Sequence, residues 1–148
     1  MGSGIQIALW DGPVDKMDRR SQTAFLALIA SQAAHSLEEY AFRLFDVFGP
    51  ARFVSALFSG NLETGFAVAN TGVVLLGAGC YWAFVRPRHA LAHPIAWFWT
   101  VLEFANGIGH TLLALSRGSY FPGLATAPLL IAASGYLGYR LQCAQHSS

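Results

Sequence analysis

The chain has 148 residues, the length of one domain, and its composition is that of a membrane protein. Hydrophobic residues make up 54% and charged residues 11%, against roughly a quarter charged in soluble domains. Nine basic and eight acidic residues leave a formal net charge of +1, which excludes the basic surface that nucleic-acid binding requires. The two cysteines, Cys80 and Cys143, form no CxxC pair, so neither a disulfide framework nor a thiolate metal site is expected.

The chain divides into a surface segment, a membrane domain and a tail. Residues 1–20 are charged and lack the pattern of a cleaved signal peptide. Residues 21–142 are expected to form the membrane domain, and residues 143–148 a short polar tail. Four apolar stretches of roughly 20 residues, each long enough to cross a bilayer, run from about Gln22 to Phe45, Thr64 to Val85, Leu91 to Leu115 and Pro122 to Leu141.

These stretches predict an all-α fold, a bundle of four transmembrane helices, because no period-two strand pattern occurs along the chain. The connection 46–63 is longer than a turn and contains the apolar run Phe53 to Phe58, so it predicts an amphipathic or re-entrant segment between the first two spans. An even number of spans places both termini on one side of the membrane. The distribution of cations predicts that this side is the cytoplasm, because it carries Lys16, Arg19, Arg20, Arg86, Arg88 and Arg140, against Arg43, Arg52 and Arg117 on the other.

Polar side chains interrupt the first predicted span. On a helix, Glu38 lies at about −60° and Glu39 at about +40° from His35, so one imidazole and two carboxylates crowd one side. Ionisable groups inside a membrane are costly, and a functional role is the default interpretation.

The third span supplies a matching set. Glu103, Asn106 and His110 share one helix face, because offsets of three and seven residues bring side chains back to the same side. Counting about 1.5 Å per residue from the ends of the spans places both sets in the outer half of the bilayer, with Asn70 and Thr126 at nearly the same depth. The sequence therefore predicts one polar site shared by four helices.

Two imidazoles and three carboxylates are the ligands that zinc, iron or manganese take in helical bundles. The metal-ligand candidates are His35, Glu38, Glu39, Glu103 and His110. A di-iron site normally uses four carboxylates, so one metal is favoured, or two with Asn106, Glu63 or water completing the ligands. In the mononuclear interpretation both histidines and one carboxylate bind zinc or iron. A second carboxylate, from among Glu38, Glu39 and Glu103, then serves as general base.

Three blocks of this sequence resemble the HxxEE-domain family of small bacterial membrane proteins. The blocks are His35 to Glu39, Asn106 to His110 and Tyr120 to Ala127, and the similarity extends over roughly residues 25–140. The resemblance implies a four-helix membrane domain in the bacterial inner membrane and supplies no reaction. It points to a set of functional positions: His35, Glu38, Glu39, Asn106, His110, Pro122, Gly123 and Thr126. Asn70, Asn106, Tyr120 and Thr126 are expected to support the site.

Three classes of function remain open. The first is a metal-dependent membrane enzyme in which activated water or oxygen attacks an apolar, lipid-like substrate; one zinc suits hydrolysis and two irons suit oxidation. The second is a small transporter, or an ion- or proton-coupled binding protein, that uses the same His/Glu cluster. The third is a non-catalytic assembly subunit. The expected partners are membrane lipid, an apolar small molecule and a second copy of the chain in a homo-oligomer, without nucleic acid.

Overall fold

The computed structural model describes residues 17–145, and every regular element in this range is helical. The helices are α1 (Arg19–Ala41), α2 (Leu44–Val47), α3 (Gly49–Phe58), α4 (Leu62–Cys80), α5 (Ala92–Arg117) and α6 (Ala127–Gln145), and a π-helical turn, Tyr81–Val85, continues α4. The all-α prediction is therefore confirmed. Most of the predicted segment 1–20 and the end of the predicted tail lie outside the described residues.

Within the described range, one helix, Leu62–Val85, is long and apolar enough to cross a membrane. The prediction of four such helices is thus supported only in part. Helices α1 and α5 are long enough to cross a membrane. Their polar and charged side chains, including Glu38, Glu39 and Glu103, lower their mean hydropathy. The predicted fourth span also begins late, because residues 119–126 form an irregular loop ahead of α6.

Two short helices occupy the connection predicted to be amphipathic or re-entrant. Arg43, in the left-handed conformation with φ 53°, turns the chain from α1 into α2, and α3 follows with a proline in its first turn. Helix α3 packs closely on α4, because Gly65 lacks a side chain where the Ser55 backbone approaches. Its other side exposes large apolar side chains, including Phe53 and Leu57 at 66% each.

The bundle has an apolar core at each end and a polar layer between them. One core contains Phe25, Leu28, Trp99 and Leu137, and the other contains Leu44, Phe45, Phe66 and Phe121. The layer between them contains most of the buried polar residues of α1, α5 and α6: Ser31, Gln32, His35, Ser36, Glu38, Glu39, Thr100, Glu103, His110 and Ser134. Apolar packing on both sides isolates this layer from bulk water, so its charges need partners within the protein.

Helix α6 packs against both α1 and α5 and so holds the two polar helices together. The beginning of α1 is tied to the end of α6 through Asp18, whose carboxylate accepts a 2.8 Å hydrogen bond from the Ser21 backbone N–H and lies 2.7 Å from Arg140. This side-chain cap satisfies one of the free donors at the start of the helix. At the other end of the bundle, the loop 119–126 lies over the polar layer and contacts it directly.

Candidate metal centre

Three buried side chains converge where α1 faces α5. Glu39 Oε1 lies 3.0 Å from His110 Nε2 and 3.5 Å from His35 Nε2, and the two imidazole rings meet edge to face with centroids 4.6 Å apart. His35 and Glu39 share a face of α1 because they are four residues apart. One ligand atom from each of the three residues lies within 4.8 Å of the others, so this group could hold a metal ion.

The second nitrogen of each ring is held by its own partner. His110 Nδ1 lies 2.6 Å from the Pro122 carbonyl oxygen, which can only accept, so Nδ1 carries the proton. His35 Nδ1 lies 2.7 Å from Thr126 Oγ1, and that hydroxyl donates to Glu38 Oε2 at 2.5 Å. Because the threonine has one proton to give, it accepts from His35 Nδ1–H. When both rings are neutral, each therefore directs an Nε2 lone pair toward Glu39.

This arrangement needs a positive charge at its centre. Two Nε2 lone pairs and a carboxylate oxygen are all acceptors, and His35 Nε2 is buried without a hydrogen-bond partner among residues 17–145. Acceptors this close repel one another unless a proton or a metal ion lies between them. Ligands about 2.0–2.2 Å from a tetrahedral zinc lie roughly 3.3 Å from each other, close to both distances that Glu39 makes.

Glu38 points elsewhere and binds the loop 119–126. Its two carboxylate oxygens accept hydrogen bonds from the backbone N–H groups of Gly123, Ala125 and Thr126 at 3.1, 2.9 and 2.7 Å. The Thr126 hydroxyl and the Tyr120 hydroxyl also donate to it. Burial and the hydrogen bond to Glu38 raise the pKa of Tyr120 to about 12, so the phenol stays a donor. With five donors Glu38 is saturated and contributes no oxygen to the His35, Glu39 and His110 cluster.

Gly123 brings the loop against the two imidazoles. Its φ is +95°, a conformation that residues with a side chain rarely adopt, and a Cβ there would overlap both the His35 and the His110 rings. The same loop also carries the Pro122 carbonyl and the Thr126 hydroxyl that orient the rings. Loop conformation and ring orientation are therefore coupled.

Glu103 lies beside the cluster without joining it. The side chain is 1% exposed and close enough to Glu39 for a Coulombic interaction. The one hydrogen bond it forms within the described part of the chain comes from Asn106 Nδ2, at a long 3.4 Å. Helical spacing predicts that Glu103, Asn106 and His110 share one face, and all three lie within α5. Glu103 is the carboxylate of the site with the most unused hydrogen-bonding capacity.

Asn70 lies away from the histidines. It lines an apolar groove between α1 and α4 with Leu37, Tyr40, Thr71 and Leu75, on the face of α1 that points away from His35. Its Nδ2 is buried and has no partner within residues 17–145. Glu63 is at the surface, bonded to the Tyr40 hydroxyl at 2.9 Å and to Arg43 at 3.0 Å. The structure therefore brings to the cluster neither Asn70, which was expected to support the site, nor Glu63, which was expected only to complete the ligands of a second metal.

The sequence does not disclose the backbone groups of the site. The Pro122 carbonyl and the N–H groups of Gly123 and Ala125 act through main-chain atoms, which every residue carries. The signal available was the turn pattern Tyr120 to Gly123, with its proline and glycine ahead of an apolar helix. The pattern predicts a loop, and the structure adds that this loop enters the polar layer.

The fold and the site define a helical protein with a buried His/Glu/His cluster beneath a glycine-containing loop. A family model described as "Protein of unknown function with HXXEE motif" matches residues 26–137, and the chain belongs to that family. This match confirms the predicted membership of the HxxEE family. No curated protein and no solved structure matches the chain.

Proposed function

We propose that this protein is an integral membrane enzyme that holds one divalent metal ion at His35, Glu39 and His110 and activates water toward an apolar, lipid-like substrate. The observation that carries the proposal is the meeting of three acceptor atoms, Glu39 Oε1 and the two Nε2 atoms, inside a buried layer. Three acceptor atoms this close together are stabilised only by a cation between them. A protonated imidazole is the other cation that fits, and metal content distinguishes the two.

The donor set favours a single zinc. Two histidines and one carboxylate are a frequent ligand set of catalytic zinc sites, which keep a fourth position for water. Partners that hold Nδ1–H, such as the Pro122 carbonyl, are the usual supports of metal-binding histidines. A second metal would need further carboxylates, and the loop hydrogen bonds already occupy Glu38. Mononuclear iron uses the same three ligand types and is the alternative metal.

Glu103 supplies the remaining function, that of general base. A bound divalent metal lowers the pKa of its water toward neutrality. Glu103 is buried and its hydrogen bond from Asn106 is long, so its carboxylate would be the group that takes the proton of a metal-bound water and returns it to the leaving group. Asn106, one turn further along α5, donates the 3.4 Å hydrogen bond to this carboxylate. The hydrolytic assignment rests on this spare carboxylate.

The exposed surface supports a membrane location. Large apolar side chains cover the outer faces of the long helices, with Leu37 70% exposed on α1, Leu75 65% on α4, Leu115 73% on α5 and Tyr139 61% on α6. Soluble proteins seldom expose contiguous apolar surface on this scale. Lipid tails would cover these faces, and a substrate dissolved in the bilayer could approach from the same side.

Hydrolysis can be tested with protein loaded with zinc in phospholipid vesicles, by mass spectrometry of released fatty acid and head group over a panel of lipid esters. We expect activity in the unaltered protein, a loss of at least about 100-fold in Glu103→Gln with the zinc retained, and no change in the surface control Glu63→Gln. Equal activity in Glu103→Gln would contradict the assigned base. Oxygen consumption by the iron-loaded protein without hydrolysis, or proton flux by metal-free protein, would move the function to oxidation or to transport.

A further inference from the structure

A polar cavity lies at the end of the bundle where α1 begins and α4 ends, far along α1 from the metal centre. Its volume is about 640 Å³, and its lining is mostly polar, formed by Arg19, Gln22, Thr23, Tyr81, Arg86 and Arg88. Three of these six side chains are guanidinium groups contributed by two separate parts of the chain. The proposed enzymatic function makes no use of this cavity.

The positive charge of the cavity is not neutralised by the described part of the chain. None of Arg19, Arg86 and Arg88 forms an ion pair with a carboxylate of residues 17–145. The adjacent acid, Asp18, is already bonded to Arg140 and to the Ser21 backbone. Three guanidinium groups around one cavity repel one another, and an anion bound among them would relieve that repulsion.

The backbone that carries Arg86 and Arg88 at this end of the bundle is irregular. The π-helical turn Tyr81–Val85 ends in a 2.8 Å bond from the Arg86 N–H to the Tyr81 carbonyl. Arg88 follows in the left-handed conformation with φ 60°, although it is not a glycine. Such a residue is strained, and π-turns and strained residues cluster at functional sites. Both irregularities lie on the cavity wall.

The surroundings of the cavity distinguish a lipid from a free ion. It adjoins the end of Leu62–Val85, the helix that is long and apolar enough to cross a membrane. Trp82 is 60% exposed there, and the Arg86 guanidinium lies 4.3 Å from its ring centroid. A tryptophan with arginines at the end of an apolar helix is typical of the membrane interface. We propose that this cavity binds the phosphate head group of an anionic phospholipid, with the acyl chains along the exposed apolar surface of α4.

Native mass spectrometry of the full chain in non-ionic detergent tests the proposal, with dioctanoyl phosphatidylglycerol and dioctanoyl phosphatidylcholine as probes. We expect one phosphatidylglycerol per chain, bound about tenfold more tightly than phosphatidylcholine. Arg88→Asn, which suits a positive φ, and Arg86→Gln should each weaken phosphatidylglycerol binding about tenfold, the effect of losing one charged hydrogen bond. Arg20→Gln removes the same charge next to Arg19 but outside the cavity, and should change binding less than about twofold.

Three results would overturn the assignment. Equal binding of the two lipids, or unchanged binding in both Arg86→Gln and Arg88→Asn, would show that the cavity does not recognise the anionic head group. Binding of inorganic phosphate as tight as that of the lipid would make the ligand a free anion. Thermal unfolding of each variant, measured alongside, separates a lost site from a lost fold.

Discussion

Replacing Glu38 and Glu39 with glutamine, one at a time, is expected to give opposite defects although the two residues are adjacent. In Glu38→Gln the side chain presents an NH₂ group to donors that already point at it, the N–H groups and hydroxyls of the loop 119–126. Each buried charge-assisted hydrogen bond contributes about 1.5–3 kcal/mol, and the losses are not additive. We expect the free energy of unfolding to fall by about 3–5 kcal/mol and the loop to open.

Glu39→Gln should leave the loop in place and remove a ligand. Its contacts are the two Nε2 atoms, and it makes no hydrogen bond to residues 119–126. We expect metal binding to be lost even at high metal concentration, whereas Glu38→Gln regains metal at about 10–100 times the concentration that the unaltered protein needs.

Hydrogen exchange in detergent, read at the amides of Gly123, Ala125 and Thr126, together with metal content, measures both effects. Fast exchange is expected in Glu38→Gln and continued protection in Glu39→Gln. Glu63→Gln, a surface change, is the matched control and should alter neither. A loop that opens in Glu39→Gln and stays closed in Glu38→Gln would reverse the roles assigned here.

Gly123→Ala is expected to disable the metal centre through a single methyl group. The new Cβ would overlap both imidazoles, and the φ of +95° adds strain of its own. The rings cannot move away freely, because the Pro122 carbonyl and the Thr126 hydroxyl hold their Nδ1 atoms. We expect metal affinity to fall by at least about 100-fold, the scale reached when a displaced ligand loses its geometry.

The control variant Gly118→Ala separates the two effects of Gly123→Ala, the overlap with the imidazoles and the backbone strain. Gly118 has φ +62° but nothing within 4 Å of the position a Cβ would take. It therefore carries the backbone strain alone, about 1–3 kcal/mol, and should keep full metal content. Thermal unfolding and metal titration of both variants make the comparison. Retention of metal by Gly123→Ala would mean that the loop does not pack on the imidazoles as described.

Helical periodicity was sufficient to predict one face of the site on each helix. The spacing of His35 and Glu39 on α1, and of Glu103 and His110 on α5, follows from 3.6 residues per turn, so the sequence predicts that each pair shares one helix face. The same periodicity cannot separate Glu38 from Glu39, because both lie within about 60° of His35. Only the loop, which engages one and leaves the other, distinguishes them.

The loop 119–126 shows why the remainder of the site could not be predicted from the sequence. Pro122 was expected at the start of the fourth helix, since proline is favoured in a first turn, but α6 begins at Ala127. The intervening residues are held by Glu38, which is more than 80 positions away along the chain. The sequence assigns Asn70 to the site by its depth alone, and depth does not report which face of α4 a side chain occupies.

The central claim is that His35, Glu39 and His110 bind one metal ion, and X-ray absorption at the metal edge tests it most directly. Protein supplied with equimolar zinc should show two imidazole nitrogens at about 2.0–2.1 Å with the remaining ligands oxygen at about 2.0–2.2 Å. His110→Gln should lose the metal, while His89→Gln, a change at an exposed histidine, should keep it. Folded protein that takes up neither zinc nor iron, or a spectrum unchanged in His110→Gln, would contradict the account.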